Sequence, residues 1–234
     1  MSPTAYWGFY AVGVFLVVWL LLGLRSYYRT YKGRGRAAAV AALCEQRGMS
    51  PMPGTSLHFN PMSLPVGASA KYLNTFATTN RDQSLWISDI QDGVVSSVTD
   101  TRNDWTLMMF SVPDLNLPYI ALTRNGDILS VGAQGRPVHF ESIDFNNRFS
   151  VHADDPRSAV MLIDQGMMQW LLDLDRVNFQ VSGPLVSAYV RQRRPDSADP
   201  VEVKMLLRFC DGLVAHIPQI VHLEYGVQGS QPAS

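Results

Sequence analysis

An α+β fold is predicted: an antiparallel sheet packed by two amphipathic helices, set behind an N-terminal transmembrane helix. Three observations on the 234-residue chain predict it. An ion-free apolar run opens the sequence, short strand-forming segments separated by turn residues fill the middle, and two stretches with helical apolar spacing follow. Charged residues make up 17% of the chain, below the ~25% usual for soluble domains. A net charge of −1 argues against a nucleic-acid partner, which a basic surface would serve.

No Asp, Glu, Lys, Arg or His occurs from Ser2 to Leu24, and Tyr6–Leu24 is almost wholly apolar. About 20 residues rising ~1.5 Å each span roughly 30 Å, the thickness of a bilayer's hydrocarbon core. Tyr6, Trp7 and Tyr10 stand at one end of the run, Trp19 within it, and Tyr27 and Tyr28 beyond the other end. Amphipathic rings of this kind favour membrane–water interfaces. A cleaved signal peptide would need a basic start and a small-residue cleavage site, and neither flanks the run suitably. Residues 1–24 therefore read as a signal anchor.

Arg25, Arg29, Lys32, Arg34 and Arg36 follow, with no acid before Glu45. Cationic flanks stay cytoplasmic, so the N-terminus is expected outside and the C-terminal domain inside, at the plasma (inner) membrane. Residues 25–36 read as a basic juxtamembrane stalk. It is suited to anionic lipid head groups as well as to setting topology. Residues 37–234 carry 14 Lys and Arg against 20 Asp and Glu, an acidic head on a basic stalk.

The soluble domain is expected over 37–226. Its first element is a short helix over Arg36–Gly48, with Ala37, Val40, Ala41 and Cys44 on one face and Gly48 as its stop. Four prolines make Ser50–Ser69 irregular, anchored by Leu57, Phe59 and Leu64. Leu85–Ile90 and Val94–Thr99 flank Gln91-Asp92-Gly93 as a hairpin, and Thr106–Val112 is rich in strand formers. Tyr119–Arg124 and Ile128–Val131 flank Asn125-Gly126, a strong type I′ turn signal. Phe149–His152 is a further strand. Next, Asp155 caps a helix with Pro156 in its first turn, and Ala159, Ile163, Met167, Trp170, Leu171 and Leu174 trace its stripe. Gly166 weakens it. Phe179–Ser182 and Leu185–Val190 form a hairpin about Gly183-Pro184. Asp199, Pro200 and Glu202 open a last helix, close to a capping box, whose stripe runs from Val203 to Ile217 until Pro218 ends it. Residues 227–234 form a frayed tail.

The block from Glu141 to Arg157, with Asp144, Phe145, Phe149, Asp154, Asp155 and Pro156, followed by Met167-Met168-Gln169-Trp170, resembles the signature of a family of membrane-anchored proteins. These are bacterial, mainly actinobacterial, and have no assigned activity. Ile217–Val221 and Tyr225-Gly226 are similar to how those chains end, and Ala38–Gly48 to their first helix. The resemblance implies an α+β domain beside a membrane anchor and assigns no functional residues. Gly166 stands where the family often has proline.

His139, Glu141 and His152 are the weak candidates for a metal site, since His139 and Glu141 would share one strand face with His152 opposite. Helix starts and turns explain the neighbouring acids better. Cys44 and Cys210 both lie on apolar helix stripes, where cysteine acts as a small hydrophobe. No nucleophile elbow, phosphate loop or cofactor motif is present. The sequence therefore points to a non-catalytic accessory protein held against an integral membrane complex, such as a respiratory or cell-envelope assembly. The alternative is a tethered module binding a lipid or small ligand between sheet and helices, and a hydrolytic enzyme comes third. Cysteine labelling in intact cells tests the topology. A cysteine placed near the N-terminus should react from outside, and one near the C-terminus only after permeabilisation.

Overall fold

The computed structural model describes residues 15, 17–23, 34–52, 71–78, 84–92, 103–126, 134–174, 176–192 and 197–227. Most of the expected anchor and stalk lies outside these, including Tyr6, Trp7, Tyr10, Arg25, Tyr27, Tyr28, Arg29 and Lys32. So do Leu57, Phe59 and Leu64, the Val94–Thr99 and Ile128–Val131 strands, and the C-terminal tail beyond Val227. Residues 17–23 are helical, with Trp19 70% exposed. Among the described residues no helix is long and apolar enough to cross a membrane.

The domain is α+β. One antiparallel sheet has the strand order β1-β2-β3-β4-β9-β8-β5-β7-β6. Its first four strands are β1 (Met49–Pro51), β2 (Lys71–Thr78), β3 (Leu85–Asp92) and β4 (Asn103–Ser111). The others are β5 (Leu117–Arg124), β6 (Arg136–Val138), β7 (Phe149–Ala153), β8 (Asn178–Gly183) and β9 (Leu185–Arg191). The β8–β9 hairpin wedges between β4 and β5 and joins the two halves of the sheet into one. Gly183, at φ +59°, adopts the left-handed backbone that this tight connection needs.

The sheet corrects several expectations. β3 runs on through Gln91 and Asp92, which pair with Asp104 and Asn103 of β4, so no turn falls there. β5 is paired along both edges, with β7 on one side and β8 on the other. That leaves no edge of β5 for the Ile128–Val131 partner, although Asn125-Gly126 does turn, with Gly126 at φ +86°. β2 was hidden from the periodicity by a bulge between Leu73 and Phe76 that breaks its alternation. β6 is too short to carry a pattern.

Helical residues 34–45 form α1, followed by α2 (Ile143–Arg148), α3 (Pro156–Leu162), α4 (Gln165–Leu174), α5 (Val201–His216) and α6 (Gln219–Tyr225). Asp155 caps α3 by accepting from the Arg157 N–H, and Pro156 occupies its first turn. The single helix expected from Asp155 to Leu174 is broken at Ile163-Asp164. The Asp164 carboxylate accepts from the Met167 N–H at 2.8 Å and so starts α4 afresh. Gly166 falls in the first turn of α4, two residues after the break. The apolar stripe survives because both pieces press on the same face of the sheet. α2, capped by Ser142 accepting from the Phe145 N–H, and α6, beyond Pro218, were not predicted. Six residues or so offer too little periodicity to read. The capping box of α5 does not form: Asp199 instead pairs with Lys204 at 2.8 Å.

Even-numbered side chains of β4, β9 and the regular part of β5, and odd-numbered ones of β8, face the helices. Met108, Phe110, Ile120, Leu122, Val186 and Ala188 join the larger core with Val40, Phe145, Leu162, Met167, Leu206 and Phe209 from the helices. The opposite face carries a second, aromatic-rich cluster of Trp86, Ile90, Trp105, Leu107, Met109 and Tyr189.

Gly135, just before β6, sits at φ +90°, and a Cβ there would lie 2.6 Å from the Ala153 carbonyl carbon. The obstacle is backbone, which cannot swing aside. Gly135→Ala should therefore lower stability by more than about 2 kcal/mol in urea denaturation.

Candidate functional site

The position where α1 meets the sheet has the most unusual chemistry in the domain. An acid, Asp89, and a hydroxyl, Thr106, occupy core-facing positions of β3 and β4, beside apolar Ile87, Met108 and Phe110 on one side and Gln91 and the buried acid Asp104 on the other. A carboxylate in that position needs a cation, because an unpaired buried charge costs several kcal/mol. Arg36 supplies it. Its Nε donates to Asp89 Oδ2 at 2.9 Å and its Nη2 to Asp89 Oδ1 at 3.0 Å, the two-pronged geometry of a guanidinium on a carboxylate. Nη1 reaches Glu202 Oε2 of α5 at 3.3 Å. Side-chain exposures of 4% and 6% for Arg36 and Asp89 put the pair in the interior.

The remaining acceptor capacity of Asp89 is taken up. Thr106 Oγ1 donates to it at 2.8 Å, Gln192 Nε2 at 2.8 Å and Asn74 Nδ2 at 3.0 Å. Asn74 reaches it from the β2 bulge, with φ +50°. Burial opposes the charge on Arg36, but the hydrogen bonds and charges of Asp89 and Glu202 outweigh it and hold the guanidinium above its ordinary value. Every element around the cluster is thereby tied to α1. Farther along, Arg47 and Asp211 form a double-pronged surface pair at 2.7 and 2.6 Å. Arg36 to Glu202 near one end and Arg47 to Asp211 near the other mean that α1 and α5 run side by side in the same direction.

Arg36 was expected among the juxtamembrane cations, with the domain starting at residue 37. At 3% exposure it belongs to the domain, whereas Arg34, two residues earlier, is exposed. The sequence did contain the signal, an acid at a buried strand position, but not the partner's identity.

The other singled-out residues fall elsewhere. β6 ends at Val138, so His139 and Glu141 lie exposed in the turn before α2 and not on a strand face with His152. Among the described residues no three His, Cys, Asp or Glu side chains converge to hold a metal ion. Asp144 is exposed in the first turn of α2, and Asp154 is exposed before the cap of α3. Phe145 is buried and packs between Phe140 and Phe149, each 5.3 Å away by ring centroid. Met167 is fully buried. Trp170 stacks on Phe209 at 5.5 Å and on His216 at 4.5 Å, while His216 Nδ1 lies 2.8 Å from the Gly212 carbonyl. Between sheet and helices, the cavity lined by Val112, Leu162, Val186, Leu213 and Ile217 measures about 10 Å³, room for one water and not for a lipid.

Burial pushes the Cys44 thiol up to about 12 and the Cys210 thiol up to about 11. Neither is poised as a nucleophile.

No family known from its sequence pattern matches the chain. No curated protein matches it either. Among solved structures, the crystal structure of the mycobacterial trehalose monomycolate transport factor A, TtfA, is similar in fold. The TM-score is 0.50 at 11% identity, over 80% of this chain and 96% of that one.

Two predictions follow from the chemistry of this region. Arg36→Ala leaves Asp89 buried without its cation and should cost about 3–5 kcal/mol in chemical denaturation. At about pH 8 the folded protein's Cys210 should react with a disulfide reagent on the order of a hundredfold more slowly than an exposed cysteine. Cys44 should be slower still, and both should react promptly once urea unfolds the chain.

Proposed function

We propose that this chain is a membrane-anchored, non-catalytic accessory protein of a cell-envelope assembly that handles lipid. The observation that best supports this reading is the fold shared with a trehalose monomycolate transport factor across nearly all of that factor. The apolar run at residues 6–24, followed by cations and preceded by none, supplies the anchor in this reading, with the domain on the cytoplasmic side. The Arg36 cluster then has a mechanical role. It joins the helix nearest the anchor rigidly to β3 and α5, so that the domain keeps one orientation beside the bilayer.

An accessory protein also needs surface on which to meet its partner. α6 carries Ile220 and Leu223, three residues apart and 54% and 79% exposed. Because α1 and α5 run in parallel, α6 follows the end of α5 that lies away from residue 34. That placement suits contact with a protein reaching inward from the membrane better than contact with the lipid surface itself. The cations of residues 25–34 suit anionic lipid head groups.

Affinity purification of the tagged full-length protein from native membranes in mild detergent, with mass spectrometry of what stays bound, tests this reading. A stoichiometric integral membrane partner is expected. A protein recovered alone, with its fold intact, would refute the accessory role.

A further inference from the structure

The start of α3 meets the end of α6 at the surface. Arg157, in the first turn of α3, pairs with Glu224, in the last turn of α6, at 3.6 Å. Beside them Tyr225 OH donates to Asp155 Oδ2 at 3.4 Å. One turn along each helix from the ion pair come Val160 and Ile220. Their spacing of three from Arg157 and four from Glu224 keeps them on the same open faces. They are 53% and 54% exposed, and Leu223, next to Glu224, is 79% exposed. Val221 is the buried side of α6, and Leu223 stands about 200° round the helix from it. Packing of α6 on the domain therefore leaves Val160, Ile220 and Leu223 as one apolar strip facing solvent. Packed helices lie about 8–10 Å apart, so a strip shared by two of them is as wide as one further helix.

Charge narrows what the strip receives. Asp154 and Asp155 precede α3, Asp164 follows it, and Glu224 lies on α6. Asp114 borders the end of α6, where its carbonyl accepts from the Val227 N–H. All but Asp155, which is half-buried, are exposed. Against these five acids stand Arg157 and, from the adjoining β6, Arg136, and His222 is the other basic group on the two helices. A second copy presenting this face would set acids against acids, and an anionic bilayer would be repelled likewise. A partner with Lys and Arg on either side of an apolar stripe would be attracted at both the rim and the centre.

We infer that the α3–α6 face docks a basic amphipathic helix of the membrane partner. Apolar residues of that helix, at steps of three and four, sit on Val160, Ile220 and Leu223, and its cations lie along the acidic border. Cytoplasmic segments of integral membrane proteins carry an excess of Lys and Arg, which suits such a helix. The inference deepens the accessory role and rests on it, and the two are tested apart.

Biolayer interferometry on the full-length protein in zwitterionic nanodiscs, referenced to empty nanodiscs, tests the inference with two synthetic probes. One is a helical peptide of leucine and lysine at amphipathic spacing, and the other has glutamate in place of every lysine. The lysine peptide should bind at least about tenfold tighter, with the difference shrinking as salt rises. Leu223→Ser with Ile220→Ser alters exposed side chains without changing charge, and should weaken that binding about tenfold. Asp114→Asn with Asp154→Asn should narrow the gap between the two peptides. Equal or absent binding of both peptides, or binding unchanged in the folded serine variant, would overturn the inference. A dimer in sedimentation that the serine variant dissolves would also overturn it, because a second copy would then hold the face. So would quenching of a fluorophore at residue 223 by spin-labelled lipid, which would give the face to the bilayer. A membrane partner that co-purifies equally with wild type and serine variant would keep the accessory role and refute this docking face.

Discussion

A guanidinium taken out of water has to be neutralised and fully hydrogen-bonded, and the way Arg36 meets that requirement organises half of the domain. Asp89 comes from the middle of β3, Glu202 from the first turn of α5, and the supporting donors from β2, β4 and the residue after β9. None of these groups could be buried alone. Together they determine where α1 lies and in which direction, and Arg47 with Asp211 reinforces that direction at the surface. Such a cluster adds little net stability over a well-packed apolar one, yet its geometry tolerates few alternatives. Its value here is positional.

That positional role matters in the membrane-anchored reading proposed above. Helices packed by apolar side chains alone can slide or rotate by small amounts at modest cost, whereas a two-pronged charge pair permits one registry. A helix entering the domain from the membrane side would thus carry the sheet with it as a single unit. The larger core strengthens this arrangement, since α3, α4 and α5 press on the same face of the sheet that receives Arg36. The other face is left with its own chemistry, aromatic at β3, β4 and β9 and increasingly polar toward β7.

Much of the fold was legible from pattern. The β8–β9 hairpin announced itself through Gly183-Pro184, α5 through its long stripe, and α3 through Asp155-Pro156. What could not be read depended on distant parts of the chain or on segments too short to repeat. The break at Asp164 arises because a side chain competes for the backbone N–H groups of the next turn, and an apolar stripe passes over such a break without a trace. The pairing of β5 on both edges depends on strands 30 and 60 residues downstream, which no local turn signal reveals. Asn125-Gly126 was correctly a turn and wrongly a two-strand hairpin for that reason. Arg36 was misplaced because it continues a run of cations, and its partner lies 53 residues away.

The central claim is that α1 forms one cooperative body with β3, β4 and α5. Hydrogen–deuterium exchange on the full-length protein in native-like membranes tests it directly, since amides in one cooperative unit share one opening free energy. The account predicts that the amides of residues 38–45 exchange as slowly as those of β3 and β4 and by the same global opening. Fast exchange of α1 while the strands stay protected would contradict it and make α1 a separate, loosely attached helix.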